Sequence, residues 1–250
     1  MENYTLITGA SRGIGCAVAL RLAKEARNLI LTADKDEKGL LKTQEQVSRI
    51  YMENFGPAGR YMNCKTIICD VSDSAAVRRM YDSLEKNGCF IEALINNAGI
   101  SCFKLVQDMT DDDWNRVMGV NLDGIFYMCR GAVPNMIKKK KGFIINISSY
   151  WGVAGSATES AYCASKGGVN AFTLSLAKEL APSNIKVNAV ICEFIDTKMN
   201  SFLNKEEINA ALEEMPAHRI ISASEIADIV FSLLNEENSV SGRLIEMKKL

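Results

Sequence analysis

A tyrosine and a lysine stand four residues apart in the second half of the chain, at Tyr162 and Lys166. In a helix, side chains with this spacing lie on one face, a turn apart. Because a nearby ammonium stabilises a phenolate, we expect Lys166 to lower the pKa of Tyr162 and to make it a proton donor or acceptor. Ordinary helices also pair a half-buried tyrosine with a solvated lysine, so other features of the chain must decide between the two interpretations.

A glycine-rich segment near the amino terminus has the composition of a phosphate-binding loop. Gly9, Gly13 and Gly15 follow the short apolar run at residues 4–8 and open a helical pattern that extends to Arg27. Glycines here permit a tight turn and let a pyrophosphate approach the amides at the start of the helix. The spacing, Thr-Gly-x-x-x-Gly-x-Gly, is not the usual G-x-G-x-x-G, and a glycine-rich connection without a ligand is the alternative.

Strands and helices alternate along the rest of the chain and must position these residues. The strands are continuous apolar runs, a pattern typical of a parallel sheet covered by helices on both faces. We predict one doubly wound α/β domain over residues 1–250, because repeats, linkers and low-complexity segments are absent from the sequence. In such a sheet, the loops at the carboxyl ends of the strands line one crevice, which brings the motifs together.

The boundaries of these elements follow from the apolar runs and the helix-capping residues. Predicted strands lie near residues 4–8, 29–32, 65–69, 91–95, 142–148, 185–191 and 243–247, and predicted helices near residues 13–27, 37–55, 74–86, 110–140, 162–180, 206–214 and 225–235. Ser72 is the expected cap of the third helix. Thr110, followed by three aspartates, is a strong start for the fourth, which Pro134 could kink.

Composition excludes several classes of protein. A chain of 250 residues with 48% hydrophobic content and net charge −1 can fill one core and has no general attraction for nucleic acid or membranes. The eight cysteines lack C-x-x-C spacing, and His218 is the single histidine, more typical of a loop residue than of a base. We therefore expect no metal site and no disulfides. Without a membrane-spanning run or signal peptide, a cytoplasmic location is predicted.

Together the motifs resemble those of the short-chain dehydrogenase/reductase family, in the branch that includes β-ketoacyl-acyl-carrier-protein reductases. The resemblance covers residues 3–245 and rests on the glycine loop, Asn96-Asn97-Ala98-Gly99, Val120-Asn121, Ser149 and Tyr162-x-x-x-Lys166. It implies a Rossmann fold and an NAD(P)H-dependent oxidoreductase that reduces a ketone to an alcohol. It also implies a homotetramer, with a homodimer as the alternative, because the usual Asp-Gly-Gly tail is replaced at residues 246–250.

The resemblance also implies a role for each matching residue. Tyr162 would transfer the proton, and Ser149, rather than its neighbour Ser148, would hydrogen-bond the carbonyl oxygen. Lys166 would lower the Tyr162 pKa and hold the cofactor ribose, and Asn121 would carry a water that relays protons to Lys166. The residues implied to bind the cofactor are Gly9, Ser11, Arg12, Gly13, Ile14, Gly15, Asp34, Lys35, Asp70, Val71, Asn97, Ala98, Gly99, Tyr162, Lys166, Ile195 and Thr197.

The choice between NAD and NADP depends on the residues that follow the second strand. Asp34 could bind a ribose 2′-hydroxyl and repel a 2′-phosphate. It stands one position later than the acid of NAD-preferring members, where this chain has Ala33. Arg12 and Lys35 could pair with a 2′-phosphate. We therefore favour NADP over NAD.

Three functions remain compatible with the sequence. In carrier-protein reductases, two basic residues near the site entrance engage the acidic carrier; Lys140 matches one, whereas Ser183 replaces the other. The segments around Ser149 and Tyr162, including Trp151 and Glu159, resemble those of a bacterial group of reductases. These reductases act on a 5-aminopentanone modification on elongation factor P. An acid such as Glu159 could suit the substrate amine, and a solvated loop acid is the alternative.

The third function is a non-catalytic dinucleotide sensor or scaffold. Cys192-Glu193 replaces the family's Pro-Gly after the sixth strand. Because Glu193 adopts glycine-like conformations only at a cost, we expect this loop to be reshaped. Four further side chains could be walls of the substrate pocket or simply core: Phe103, Trp151, Met199 and Phe202.

Overall fold

The computed structural model describes residues 2–195, 204–235 and 240–247. Its strands are β1 (Glu2–Ile7), β2 (Leu29–Ala33), β3 (Cys64–Ile68), β4 (Cys89–Asn96), β5 (Gly142–Ser149), β6 (Ile185–Cys192) and β7 (Arg243–Glu246). They form one sheet in the order β3-β2-β1-β4-β5-β6-β7, and every neighbouring pair is parallel. The predicted doubly wound α/β fold is therefore confirmed.

Helices cover both faces of the sheet. They are α1 (Gly13–Ala23), α2 (Glu37–Phe55), α3 (Ser74–Lys86), α4 (Asp111–Met118), α5 (Gly124–Lys139), α6 (Trp151–Ala154), α7 (Ser160–Leu180), α8 (Lys205–Glu214) and α9 (Ala223–Leu233). Apolar side chains of α1, α2 and α9 pack on one face of the sheet, and those of α3, α5 and α7 pack on the other. This double cover explains why the strands are continuously apolar rather than alternating. Among the described residues, no helix is long and apolar enough to cross a membrane.

The start of α3 corrects one prediction. Asp73, not Ser72, is the N-cap, because its carboxylate accepts the amides of Ala75 and Ala76 at 2.8 and 3.1 Å. The hydroxyl of Ser72 instead donates to Asp70 at 2.7 Å. Both residues are good caps, and the position of the preceding strand decides between them.

The predicted helix over residues 110–140 is divided in two. A π-helical turn, Gly119–Asp123, joins α4 to α5, and Pro134 lies inside α5. Such a turn holds an extra residue, and π-turns recur at functional sites. Here it carries Asn121, which is fully buried. Thr110 begins α4 as predicted, and its side chain accepts the amide of Asp113 in a capping box.

The order of the strands locates the crevice. From β1 the chain proceeds outward through β2 and β3, and it then returns to place β4 on the other side of β1. The loops that follow β1 and β4 diverge at this point, which is where doubly wound sheets bind ligands. The glycine loop follows β1, and Asn97 follows β4.

Candidate active site

Hydrogen bonds lock the loops after β1 and β4 together. The side-chain amide of Asn97 donates to the carbonyl oxygens of Thr8 and Gly9 at 2.9 and 3.1 Å. In return, the Thr8 hydroxyl accepts the backbone amides of Asn97 and Ala98, both at 2.9 Å. Gly9 has φ +64°, a backbone conformation that other residues adopt only at a cost. Asn97 therefore shapes the floor of the crevice.

The residues of this floor fit a dinucleotide. A Cβ on Gly15 would lie 2.6 Å from the side-chain nitrogen of Asn97, so only glycine allows this close approach. Helix α1 begins at Gly13 without a side-chain cap at Arg12, so the amides of its first turn can serve an anion. A helix start beside a glycine-rich turn is a pyrophosphate site.

Arg12 has a partner that the sequence reasoning missed. Its guanidinium lies 3.1 Å from the carboxylate of Asp36, which also caps α2 by accepting the Gly39 amide at 3.1 Å. Hydrogen bonds from the Ser11 hydroxyl and from the Gly39 amide, with the charge of Arg12, hold the Asp36 pKa below its ordinary value. An aspartate just before a helix is a capping signal that could have identified it.

The other residues after β2 and β3 lie on the same side of the crevice. Asp34 directly follows β2, is half-exposed and lies 3.5 Å from the ammonium of Lys35. Asp70, after β3, accepts the amide of Ser72 at 2.9 Å, and its neighbour Val71 is buried. Because β3, β2 and β1 are adjacent, these residues are placed for the adenosine end of a dinucleotide.

Ser149 and Tyr162 approach each other from β5 and α7. Ser149 is the last residue of β5, and its hydroxyl oxygen accepts the amide of Trp151 at 3.2 Å. Burial raises the pKa of the Tyr162 phenol well above its ordinary value; a hydrogen bond with Ser149 lowers it, and the charge of Glu159 raises it further. Desolvation of the phenolate outweighs the favourable contacts, so the net shift of the Tyr162 pKa is upward, and the lowering effect of Lys166 stays a prediction.

Lys166 is held away from solvent one turn along α7. Only 4% of this residue is exposed, and its ammonium donates to the carbonyl oxygen of Ile147 at 2.8 Å. The Nζ atom lies 5.6 Å from the centroid of the Tyr162 ring. Burial lowers the pKa of Lys166 to about 8. Tyr162 and Lys166 share one face of the helix, as predicted. Loss of solvent, however, raises the pKa of the tyrosine and lowers that of the lysine.

Asn121 joins the β4 loop to α7. Its side-chain oxygen accepts the Ile100 amide at 2.8 Å, and its side-chain nitrogen donates to the hydroxyl of Ser165 at 3.0 Å. A Cβ on Gly99 would lie 3.4 Å from the Asn121 oxygen and 3.6 Å from Lys166 Nζ. Gly99, Asn121 and Lys166 therefore meet at one point beneath Tyr162.

The two neighbouring serines at the end of β5 have different surroundings. Ser148 is buried against the middle of α7, where its hydroxyl donates to the side-chain oxygen of Asn170 at 2.6 Å. Ser149 is beside Tyr162. This placement agrees with the choice of Ser149 made from the spacing.

Glu159 is buried, which excludes the interpretation of a solvated loop acid. Only 6% of the residue is exposed, and its carboxylate accepts the Ser101 hydroxyl at 2.7 Å. Burial raises its pKa, although hydrogen bonds from Ser101 and Ser156 act in the opposite direction. Among the described residues, no lysine or arginine forms an ion pair with it.

The segment after β6 is only partly described. Ile195 is buried and pairs with Ile221 in an isolated parallel bridge. Glu193 is also buried, and its φ is not positive, so it does not adopt the left-handed conformation that glycine favours. Three residues named from the sequence lie outside the described residues: Thr197, Met199 and Phe202.

The two proposed carrier-docking positions are adjacent but lie at the wrong edge. The side-chain nitrogen of Asn184 donates to the carbonyl oxygen of Lys140 at 3.4 Å, which places Lys140 near Ser183. Lys140 and Ser183 precede β5 and β6, whereas Ser149 is at the far end of β5, which is eight residues long. At about 3.3 Å per residue, the length of the strand separates them from the crevice of the same chain. The expectation that Lys140 lies near the site entrance is wrong for a single chain.

Comparison with known proteins agrees with this geometry. A family model described as short chain dehydrogenase matches residues 3–208. The chain is 35% identical to a 3-oxoacyl-[acyl-carrier-protein] reductase of Aquifex aeolicus, over 98% of this chain and 95% of the relative. It is 35% identical to that of Thermotoga maritima, over 96% and 94%, and 34% identical to that of Escherichia coli, over 94% and 91%.

Proposed function

The chain belongs to the short-chain dehydrogenase/reductase family and is an oxidoreductase acting on CH–OH groups. On this basis we propose that it reduces the ketone of a 3-oxoacyl thioester borne by an acyl-carrier protein. We also propose that it prefers NADPH over NADH. The observation that carries the proposal is the meeting of Ser149, Tyr162 and Lys166 opposite the glycine loop. The names of the relatives support the substrate class.

In this proposal, the side chains manage the proton. When bound, NAD(P)H supplies a hydride to the carbonyl carbon. Tyr162 donates its phenolic proton to the carbonyl oxygen, and its raised pKa keeps that proton in place at neutral pH. Ser149 accepts the Trp151 amide, and its own proton, which bonds Tyr162 in this structure, can turn to stabilise the negative charge that develops on the carbonyl oxygen. The product is an alcohol.

Lys166 assists the same proton transfer. Its ammonium, beneath the Tyr162 ring, attracts negative charge on the phenolate that forms when the proton leaves. Asn121 holds the β4 loop against α7, which maintains the distance between the cofactor floor and these side chains. Positioning of this kind contributes strongly to rate, because a displacement of about 1 Å can cost a hundredfold.

The preference for NADPH is supported by the cations after β1 and β2. Arg12 is a planar donor suited to phosphate, and Asp36 holds it at the end of β2. Lys35 is exposed beside it. The carboxylates of Asp34 and Asp36 would repel a 2′-phosphate. The preference between NADPH and NADH therefore depends on how strongly each carboxylate pairs with its neighbouring cation.

The test is oxidation of NADPH and of NADH against an acetoacetyl thioester of the acyl-carrier protein, simple ketones and modified elongation factor P. We expect the highest kcat/KM with the thioester and NADPH. A higher kcat/KM with NADH would contradict the cofactor preference. Oxidation of neither cofactor with any substrate would favour the non-catalytic alternative.

A second candidate is the reduction of a ketone that carries an amine, such as 5-aminopentanone on elongation factor P, and the burial of Glu159 favours it. A buried carboxylate is costly unless a cation compensates its charge. Glu159 bonds two serine hydroxyls, three residues before Tyr162. A substrate ammonium would supply the missing charge at a distance set by the chain between amine and ketone.

A matched pair of substrates separates the two candidates. One is a methyl ketone whose chain ends in trimethylammonium, and the other is the same ketone ending in tert-butyl. If Glu159 binds an amine, wild-type enzyme prefers the cationic ketone, and Glu159→Gln reduces that preference about tenfold, or about 1.4 kcal/mol. An unchanged ratio in Glu159→Gln would exclude the amine-binding role. Glu92→Gln, at the opposite edge of the sheet, is the control.

A further inference from the structure

We propose that Glu193 is a positioning residue that fixes the carboxyl end of β6, beside Ser149, by binding the turn at residues 215–218. The inference rests on the proposed function, since its kinetic effect is measured on carbonyl reduction. Only 7% of Glu193 is exposed, and its carboxylate accepts the backbone amide of Ala217 at 2.7 Å. A buried acid thus joins two segments that lie 24 residues apart in the chain.

The turn presents this amide in a fixed direction. The amide of His218 donates to the carbonyl oxygen of Met215 at 3.1 Å, which closes the turn with Pro216 and Ala217 at its centre. The Ala217 amide lies partly buried and requires an acceptor, because a buried amide without one is costly. Glu193 supplies a charged acceptor, which forms a stronger hydrogen bond than a neutral one.

The two residues after Glu193 strengthen the same junction. The carbonyl oxygen of Phe194 accepts the amide of Ile221 at 2.8 Å, and Ile195 pairs with Ile221. Three consecutive residues of the chain therefore bind the segment at residues 217–221. Glu193 is the member of this set that acts through its side chain.

The junction lies directly beside the reacting centre. Ser149 pairs with Cys192 in the register of β5 and β6, and the carbonyl oxygen of Cys192 accepts the amide of Tyr150 at 2.8 Å. Glu193 thus directly follows the residue that pairs with Ser149 and accepts the Tyr150 amide. Loss of its hydrogen bond would let this strand end shift and would misdirect Ser149.

The effect should fall more on the chemical step than on cofactor affinity, because Ile195 is the one member of this junction among the residues predicted to bind the cofactor. The glycine loop follows β1, which β4 and β5 separate from β6. We therefore expect Glu193→Leu, which removes the acceptor, to lower kcat about tenfold while the dissociation constant of NADPH changes less than about twofold. Glu193→Gln retains an acceptor oxygen and should keep kcat within about threefold of wild type.

The experiment combines kinetics with amide hydrogen exchange at residues 215–222. Glu92→Leu is the control, because Glu92 is a partly buried acid at the amino edge of the sheet. Faster exchange and lower kcat in Glu193→Leu, with both restored in Glu193→Gln, would support the proposal. Wild-type kcat in Glu193→Leu would overturn it, as would equal losses in the two variants, which would indicate a role of charge alone.

Exchange also separates this inference from the proposed function. If the wild-type protein oxidises neither cofactor with any substrate, the proposed function fails. The exchange measurement still decides the junction: faster exchange in Glu193→Leu than in Glu193→Gln supports it, and equal exchange overturns it.

Discussion

The Tyr162 hydroxyl lies in the first turn of α7, where burial raises its pKa above the ordinary value of a phenol. One turn later, the same burial lowers the pKa of Lys166 to about 8. Desolvation disfavours the charged form of each group, so it raises the pKa of the acid and lowers that of the ammonium. Desolvation therefore stabilises the neutral form of both groups, which keeps the phenolic proton on Tyr162 and makes Tyr162 a weaker acid.

Replacing Tyr162 with phenylalanine removes the proton donor and preserves the ring. We expect the rate of carbonyl reduction to fall by at least about a hundredfold, because general acid catalysis contributes at least this much. The affinity for NADPH, measured by fluorescence titration, should change less than about twofold. Turnover near the wild-type rate would remove Tyr162 from the proton transfer.

Lys166→Met tests the lowered pKa of the lysine through stability. Between pH 8 and the ordinary lysine value of about 10.4, the unfolded wild-type chain binds more protons than the folded chain. The free energy of unfolding of the wild type should therefore rise with pH across this window relative to Lys166→Met, by up to about 3 kcal/mol. Denaturant titrations at several pH values measure this, and a constant difference between the proteins would contradict the shift.

Asp36→Asn tests which acid controls cofactor preference. Asparagine keeps an oxygen for the Gly39 amide but loses the charge that pairs with Arg12. We expect the ratio of kcat/KM for NADPH to that for NADH to rise about fivefold, the size of an exposed ion pair. Asp34→Asn is the matched control, since Asp34 pairs with Lys35. A larger change in the control would assign the preference to Asp34 instead.

A series of buried hydrogen bonds between side chains holds helix α7 in position on the sheet. The side chain of Asn146, in β5, accepts from Asn96 in β4 at 2.9 Å and donates to the hydroxyl of Thr173 in α7 at 2.8 Å. Ser148 and Asn170 form a second link between β5 and α7. These bonds fix the rotation of α7, and that rotation directs Tyr162 and Lys166 into the crevice.

Asn146→Ala should break the first link, although Asn96 and Thr173 each keep another hydrogen bond, to Cys129 and to Val169. We expect the free energy of unfolding to fall by about 2–4 kcal/mol, because two buried hydrogen bonds are lost and the smaller side chain leaves a cavity. Asn115→Ala, on the exposed side of α4, is the control and should change stability by less than about 0.5 kcal/mol. A loss as small as that of the control, measured by denaturant unfolding, would show that the link does not hold α7.

At the scale of the whole molecule, the sheet separates two edges of the protein. The carboxyl edge holds the proposed cofactor floor and the proposed catalytic side chains, and the amino edge holds Lys140 and Ser183. A carrier protein that bound Lys140 would lie at the edge away from the crevice of the same chain. Lys140→Glu should therefore leave kcat/KM for the carrier-borne thioester unchanged unless another copy of the chain brings Lys140 near its site.

The expected homotetramer remains a prediction, as does the cytoplasmic location. Sedimentation velocity should give four times the mass of one chain if the last strand supports assembly in spite of its altered tail. Twice that mass would indicate the homodimer. A single-chain mass would contradict both, and it would also exclude docking of a carrier across two copies.

The sequence alone predicted the parallel sheet, the glycine loop and the helix face shared by Tyr162 and Lys166, because each depends on local spacing or on the order of apolar runs. Only the tertiary structure decided the pairing of Arg12 with Asp36 and the burial of Glu159. Both depend on segments distant in the chain, and a side chain's solvation is set by what packs over it rather than by its neighbours in sequence. The same reason explains the pKa of Tyr162, for which burial outweighs the lysine that its spacing predicts as a partner.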